Sequence, residues 1–328
     1  MKKIIYTCPY VPAEWIAAHA FCPSRIIPKS SGGGSVAGIE GICPYVRGFI
    51  DAVTGDNDAC GIVVTTVCDQ MRRAADIIRD RCGSRTFLMN VPNTWHSVAS
   101  EKLYADELKR LGRFLIQRGG QSPSAGVLAE IMLDYDTKRR TIQELQGCLT
   151  SRQYSEAIAK FNREGNKDIG TYDTCNTQFT KGIPLAIIGG PLLQEDFEIF
   201  DVIEDCGGSV VLDATETGER GMCAEFDRRR LREDPLTELC CAYFGSIVDA
   251  SQRPNSKLYR WLKRELADRD VRGIIFHRYV WCDIWHGELR RLKEWTELPV
   301  LDVDSTGDVE THQPRIENRI RAFLEILE

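Results

Sequence analysis

Two cysteines of this chain stand where a glycine-containing turn or a strand-like run passes into an amphipathic, helix-like segment. Cys43 lies in GICPYVRGFID, directly before a proline, and Cys68 lies in IVVTTVCDQMRR, just after a run of β-branched residues. A thiol at the start of a helix can become a thiolate, the form that attacks substrates and binds metals. Folding alone requires a thiol at neither turn, so both cysteines are candidates for metal binding or catalysis.

A third cysteine repeats the pattern in the second half of the chain. Cys282 lies in GIIFHRYVWCDIWHGE, between a strand-like run and a helical pattern, and aspartate follows it, as it follows Cys68. Ligands of parallel α/β sheets bind beyond the carboxyl ends of the strands. Cys43 and Cys68 are therefore expected at this edge of a first sheet and Cys282 at the same edge of a second, with a cleft between them.

Three thiolates in one cleft suit an iron–sulfur cluster better than zinc. A structural zinc site normally has four ligands, and its cysteines come in CxxC pairs, of which this chain has none. A cluster held by only three thiolates keeps one iron open, and that iron can act as a Lewis acid toward a substrate oxygen. The alternative is that the three cysteines are unrelated loop residues.

The bulk composition narrows the classes of function. The chain has 328 residues and a net charge of −6, so its charge gives no indication of nucleic-acid binding. No apolar stretch approaches the ~20 residues of a membrane span, and no signal peptide is recognisable, so we expect a cytoplasmic protein without membrane association. The thirteen cysteines, an odd number, argue against a disulfide framework, and most of them are expected to be buried as small hydrophobes, among them Cys60, Cys82, Cys148 and Cys206.

Strand-like and helix-like segments alternate along the chain. In the first half, KKIIYT, GIVVTT and TFLMNV predict strands, and a mostly helical region follows from about residue 100 to 165, its first helix (101–118) capped by Ser100. The second half alternates again, from the strand IPLAIIGG to the closing helix QPRIENRIRAFLEILE. This pattern predicts an α/β protein with two Rossmann-like domains, residues 1–180 and 181–328, each with a parallel sheet.

The cysteine segments, taken together, resemble those of the 2-hydroxyacyl-CoA dehydratase family, which also contains benzoyl-CoA reductase subunits and double-cubane-cluster proteins. GICPYVRGFID is similar to the first cysteine motif of the family, VVTTVCDQMRR to the second, and GIIFHRYVWCDIWHGELRRLKE to the third. TFLMNVPNTW, the segment GGPLLQEDFEIFDVIEDCGGSVVLDATETGER and the C-terminal strand and helix fit the family as well. The resemblance thus extends over nearly the whole chain.

The resemblance implies a [4Fe–4S] cluster between the two domains, held by Cys43, Cys68 and Cys282. It also implies an acyl-CoA substrate, a related second subunit or homodimer partner, and an ATP-dependent iron–sulfur activator protein that injects one electron. That electron converts the thioester carbonyl into a ketyl radical anion, which expels the 2-hydroxyl group and then loses a β-proton. His277, at the end of a strand, is a candidate to donate a hydrogen bond to substrate or cluster.

Alternatives remain open from the sequence. A double-cubane [8Fe–9S] reductase of a small unsaturated substrate would need further thiols, and Cys223, which follows a strand-end loop, is the first candidate. The other spare cysteines are Cys8, Cys175, Cys240 and Cys241. A benzoyl-CoA reductase-like subunit is a further possibility, and a non-catalytic iron–sulfur partner or accessory protein is the alternative from another class.

Overall fold

Two four-stranded parallel sheets form the centres of two lobes in the computed structural model, which describes residues 2–31, 41–165, 182–307 and 309–328 (side chains of the last range from 315 onward). The first sheet has the spatial order β2-β1-β3-β4, and its strands are β1 (Lys3–Tyr6), β2 (Cys22–Arg25), β3 (Ala59–Thr65) and β4 (Thr86–Met89). The second has the order β6-β5-β7-β8, and its strands are β5 (Ile183–Gly189), β6 (Gly208–Ala214), β7 (Gly273–Tyr279) and β8 (Val300–Ser305).

Helices cover both sheets and fill the chain between them. Those of the first half are α1 (Ala13–Ala18), α2 (Pro44–Thr54), α3 (Asp69–Cys82), α4 (Val98–Gln117), α5 (Ala125–Glu144) and α6 (Ser151–Glu164). Those of the second half are α7 (Glu198–Asp205), α8 (Arg228–Glu233), α9 (Pro235–Cys240), α10 (Ser256–Asp268), α11 (Asp283–Trp295) and α12 (Val309–Leu327). The predicted α/β class, with two Rossmann-like parallel sheets and a mostly helical stretch between them, is confirmed. Among the described residues, no helix has both the length and the apolar character needed to cross a bilayer.

The observed elements differ from the sequence prediction in two places. Helix α4 begins earlier than expected because Ser97, rather than Ser100, caps it: the Ser97 hydroxyl accepts a hydrogen bond from the backbone N–H of Ser100 at 3.1 Å. Strand β2 was missed because its sequence, CPSR, has no apolar run. It is a short edge strand that pairs in parallel with β1.

The two lobes share core as well as surface. The segment that carries α8, α9 and the π-helical turn Cys241–Gly245 lies in the second half of the sequence, yet its apolar side chains pack into the core of the first lobe. There Phe244 stacks on Tyr104 with ring centroids 5.0 Å apart. The predicted boundary at residues 180/181 lies where residues 166–181 are outside the description, and it stays a prediction.

A buried arginine also joins the lobes. Arg25, at the end of β2, donates from Nε to the carbonyl of Thr7 at 2.8 Å in its own lobe. Its Nη2 donates to the carbonyl of Glu216 at 2.8 Å, and its Nη1 to that of Gly221 at 3.4 Å, both in the second lobe. Hydrogen bonds from a charged donor are stronger than neutral ones. Arg25 therefore fixes the loop after β6 against the carboxyl edge of the first sheet.

Candidate functional site

Three cysteines occupy the same structural position, the residue that precedes a helix. Cys43 is the N-cap of α2, Cys68 that of α3 and Cys282 that of α11. The Cys68 sulfur accepts a hydrogen bond from the backbone N–H of Met71 at 3.4 Å. Because the first N–H groups of a helix lack partners within it and carry partial positive charge, all three sulfurs lie where negative charge is stabilised.

The three caps converge on one cavity between the lobes. Cys43, Cys68 and Cys282 line the same cavity of about 130 Å³, with Cys8, Tyr45 and Tyr279 also in its wall. Cys43 and Cys68 reach it from the first sheet and Cys282 from the second, as the position of the carboxyl strand ends predicts. The structure thus brings together the three thiols that the sequence singled out.

Burial determines the protonation of these thiols. It raises the pKa of Cys43, Cys68 and Cys282 to about 12 each, and the nearby helix N–H groups offset only part of that rise. Each thiol also raises the pKa of a neighbour: Cys68 acts on Cys43, Cys282 on Cys68, and Cys43 on Cys282. The thiols are therefore neutral at physiological pH in the metal-free chain, and metal binding must displace their protons.

The set of donors fits a cluster better than a single ion. One metal ion needs its sulfur ligands about 2.3 Å from one point, and the described residues contain no group of three His, Cys, Asp or Glu side chains that could hold such an ion. A cluster offers a separate iron to each thiolate, so its ligands stand further apart. Three mutually interacting thiols at helix N-termini, Cys43 buried and Cys68 and Cys282 partly buried, therefore fit an iron–sulfur group.

Gln70 joins two of the cysteine loops. Its side-chain oxygen accepts a hydrogen bond from the backbone N–H of Cys43 at 3.2 Å, and its side-chain nitrogen donates to the carbonyl of Gly41 at 3.0 Å. Because Gln70 lies two residues after Cys68, on the first turn of α3, these bonds fix the Cys43 loop relative to the Cys68 cap.

A tyrosine pair lines the cavity, with one ring from each lobe. The rings of Tyr45 and Tyr279 stack with centroids 6.4 Å apart. The Tyr45 hydroxyl is hydrogen-bonded to Thr7, while the Tyr279 hydroxyl accepts from the N–H of Leu193 at 2.6 Å and donates to Asp196. With their polar ends satisfied, the two rings present apolar faces to the cavity.

His277 does not line the cavity. Strand β7 extends to Tyr279, two residues beyond the predicted end, so Tyr279 takes the position at the strand edge and His277 lies behind it. The two rings pack edge to face at 5.1 Å, and His277 Nε2 lies 3.9 Å from a carboxylate oxygen of Asp196. Burial lowers the pKa of His277, so the imidazole is neutral.

The spare cysteines separate into three groups. Cys8 lines the cavity with the three capping cysteines, and burial raises its pKa well above the usual range for a thiol. Cys223 lies outside that cavity, in a small space beside Arg139 and Tyr243. Cys240 and Cys241 belong to α9 and the π-helical turn, away from the cavity wall, and Cys175 is outside the described residues.

Two carboxylates in the cavity wall were missed by sequence reasoning. Glu216, two residues after β6, and Asp249 both line the cavity. Asp249 accepts from Arg220 Nη1 at 2.5 Å and from the N–H of Ser251 at 2.8 Å. Burial and the charge of Asp249 raise the pKa of Glu216 to about 7, although Arg25 and Arg220 oppose the rise. The signal available in the sequence was the acid directly beyond the strand GSVVLDA.

Comparison with known proteins supports the resemblance seen in the cysteine motifs. Residues 8–327 match the model of the family described as 2-hydroxyglutaryl-CoA dehydratase, D-component. None of the curated proteins compared with the chain matches it. The matched range includes the three helix-capping cysteines, Glu216 and both sheets. The chain therefore belongs to the 2-hydroxyglutaryl-CoA dehydratase D-component family, and it is a dehydratase-like component of the kind that acts on acyl-CoA substrates.

Proposed function

We propose that this chain is the iron–sulfur subunit of a 2-hydroxyacyl-CoA dehydratase-like enzyme, with Cys43, Cys68 and Cys282 holding a [4Fe–4S] cluster. The observation that carries the proposal is the convergence of three helix-capping thiols on one buried cavity between the lobes. Their burial, their mutual effect on pKa and the family match all support it. A related second subunit or a second copy of the chain and an ATP-dependent iron–sulfur activator complete the proposed system.

The residues of the chain prepare the cavity for low-potential chemistry. Three helix N-termini favour thiolates, and the Tyr45–Tyr279 pair lines the cavity with aromatic rings. A cluster held by Cys43, Cys68 and Cys282 would supply one-electron transfer and Lewis acidity to a substrate thioester in this cavity. Loss of water from a 2-hydroxyacyl-CoA through a ketyl radical anion is the proposed reaction.

His277 has an indirect role in this proposal. Its neutral ring packs against Tyr279 and faces Asp196, which accepts the Tyr279 hydrogen bond. It is a positioning residue that holds the wall of the cavity rather than a group that contacts substrate.

Electron paramagnetic resonance on the anaerobically reconstituted protein tests the proposal. A cluster held by only three thiolates would leave one iron accessible to a substrate oxygen, so 2-hydroxyglutaryl-CoA should change the spectrum of the reduced cluster. CoA without an acyl group is the matched control and should leave the spectrum unchanged. A spectrum that responds to neither compound, or to both equally, contradicts a substrate site at the cluster.

Cys8 favours a second candidate, a double-cubane reductase. It places a fourth thiol in the same cavity, and a double cubane needs more thiols than a single one. Iron and sulfide analysis distinguishes the two, because a double cubane gives about eight iron atoms per chain and a single cubane about four. A Cys8→Ser variant that loses half of the iron would establish the second candidate, while unchanged iron content would exclude Cys8 as a ligand.

A further inference from the structure

We propose that Glu216 is the proton-transfer group of the cavity, giving a proton to the departing 2-hydroxyl group and taking one from the β-carbon of the acyl chain. The proposal rests on the proposed function, because it assigns a residue to the elimination of water. Glu216 lies in the second lobe and lines the same cavity as the three capping cysteines. A 2-hydroxyacyl group in that cavity would lie next to its carboxyl.

The Glu216 carboxyl is largely buried and is compensated only by a long ion pair. Its side chain is only 15% exposed, and Arg25 Nη2 lies 3.8 Å away, beyond hydrogen-bond distance. Within the described ranges, no donor forms a hydrogen bond to the Glu216 carboxylate oxygens. A buried carboxylate without hydrogen bonds is costly, so the protonated form is favoured and is ready to donate.

The neighbouring carboxylate has hydrogen-bond donors that Glu216 lacks. Asp249 accepts from Arg220 and from the N–H of Ser251, and its charge disfavours a second anion at Glu216. Two cations near Glu216, Arg25 and Arg220, favour its anionic form. The other groups that interact with Glu216 are neutral: the Tyr45 phenol and the thiols of Cys8, Cys68 and Cys282. Burial and Asp249 raise the pKa of Glu216 to about 7, which suits a group that must both give and take protons at neutral pH.

The backbone around Glu216 is held rigidly. Its N–H donates to the carbonyl of Gly190 at 3.2 Å, and its own carbonyl accepts from Arg25 at 2.8 Å. One residue earlier, the N–H of Thr215 bonds to the Asp213 carboxylate at 3.0 Å. Three different segments therefore fix the loop, as a group that transfers protons in a defined direction requires.

In the proposed reaction, Glu216 donates one proton and accepts one proton. When the C2–O bond breaks, the hydroxyl takes the Glu216 proton and leaves as water. When the Cβ–H bond breaks, the Glu216 carboxylate takes that proton and returns to its acid form. The sum is one C=C bond and one water from each 2-hydroxyacyl thioester, with no net oxidation or reduction.

An infrared titration of the cluster-free protein tests the ground state of Glu216 independently of activity. We expect a carbonyl band from a protonated carboxyl that disappears as the pH rises through about 7 and is absent from Glu216→Gln. Glu225→Gln, an exposed residue of the following loop paired with Arg140, is the matched control and should retain the band. A band that Glu216→Gln leaves intact would overturn the proposal.

Turnover by the reconstituted protein then tests the role itself, with 2-hydroxyglutaryl-CoA as the probe and titanium(III) citrate in place of the activator. Glu216→Gln should lower kcat by at least ~100-fold with an unchanged iron content, and Glu216→Asp should recover part of the rate. Wild-type turnover by Glu216→Gln overturns the proposal, as does loss of its iron, which would make Glu216 a cluster-holding residue. If the loaded wild type does not turn over while the infrared band is present, the dehydratase reaction fails, and the proposal with it.

Discussion

Two buried polar regions of this protein differ in how completely their polar groups are paired. Around Arg139 the charges are paired: its guanidinium donates to Glu14 at 2.6 Å and to Asp136 at 3.1 Å, and the Tyr243 hydroxyl donates to the other oxygen of Glu14 at 2.5 Å. In the cavity between the lobes, neutral thiols and the Glu216 carboxyl are buried with few such bonds. Buried polar groups that are fully bonded stabilise the fold, whereas those left without partners mark a place for a ligand.

This contrast accounts for the different placements of the cysteines. Cys223 lies in the paired region, where the Tyr243 hydroxyl and the Arg139 charge counteract the effect of burial on its pKa. Cys43, Cys68 and Cys282 lie in the unpaired region at helix N-termini. A cysteine after a strand-end loop can therefore belong to either region, and its neighbours decide which.

Serine substitution of the cysteines gives the largest expected difference between the regions. Cys43→Ser, Cys68→Ser and Cys282→Ser should each lose most of the iron after anaerobic reconstitution, because serine replaces a thiolate ligand. Cys223→Ser should keep the wild-type iron and sulfide content. Iron retained in all three single variants, or lost in Cys223→Ser, would contradict the assignment of Cys43, Cys68 and Cys282, but not Cys223, as cluster ligands.

Breaking the paired region should cost stability instead of iron. Arg139→Met leaves Glu14 buried without its cation and Asp136 paired only with the partly exposed Arg228. Removal of one partner from a buried ion pair costs about 3–5 kcal/mol. The adjacent Arg140→Met removes only an exposed pair with Glu225 and should leave the stability almost unchanged. Urea unfolding measures both, and equal losses would show that the Arg139 network is not a structural centre.

The stability of the metal-free chain should depend on pH through Glu216. Its pKa is raised to about 7 in the folded state, so the fold loses stability as the pH rises from about 4.5 to about 7 and the buried carboxyl ionises. The loss is roughly 3 kcal/mol at most, and Glu216→Gln should lack it. Burial lowers the pKa of His19 and His277, which gives the opposite slope, but their contribution cancels when the variant is subtracted from the wild type. Parallel stability curves for the two proteins would contradict a raised pKa at Glu216.

Gln70 should give the smallest effect. Gln70→Ala removes two hydrogen bonds that hold the Cys43 loop, each with a net worth of about 0.5–1.5 kcal/mol. Iron should therefore transfer to a chelator about tenfold faster, with little change in the initial iron content. Arg73→Ala, on an exposed position of the same helix, is the control. Equal transfer rates for the two variants would show that Gln70 does not position the cysteines.

Local sequence was sufficient to predict the strand–helix alternation and the placement of the three thiols. Each capping cysteine follows a strand or turn and precedes its own helix, so a short stretch of sequence places it at the carboxyl edge of a sheet. The end of β7 was less well defined, and an error of two residues exchanged His277 for Tyr279 at the edge.

The environment of Glu216 could not be predicted in the same way. The residues that set its protonation are Arg25, Arg220 and Asp249, and tertiary packing brings two of them from distant parts of the chain. The packing of Cys223 and Phe244 into the core of the first lobe is equally non-local. Spacing along the sequence therefore indicates which thiols reach a sheet edge, but it does not show which buried groups remain unpaired there.

Mössbauer spectroscopy of the chain reconstituted with ⁵⁷Fe tests most directly whether the cavity holds a cluster with three thiolates and one open iron. We expect a [4Fe–4S] spectrum in which one iron is distinct from the others, in a ratio of about 1 to 3, and in which 2-hydroxyglutaryl-CoA shifts only the signal of the distinct iron. Four equivalent irons that ignore the compound, or no cluster at all, would contradict it.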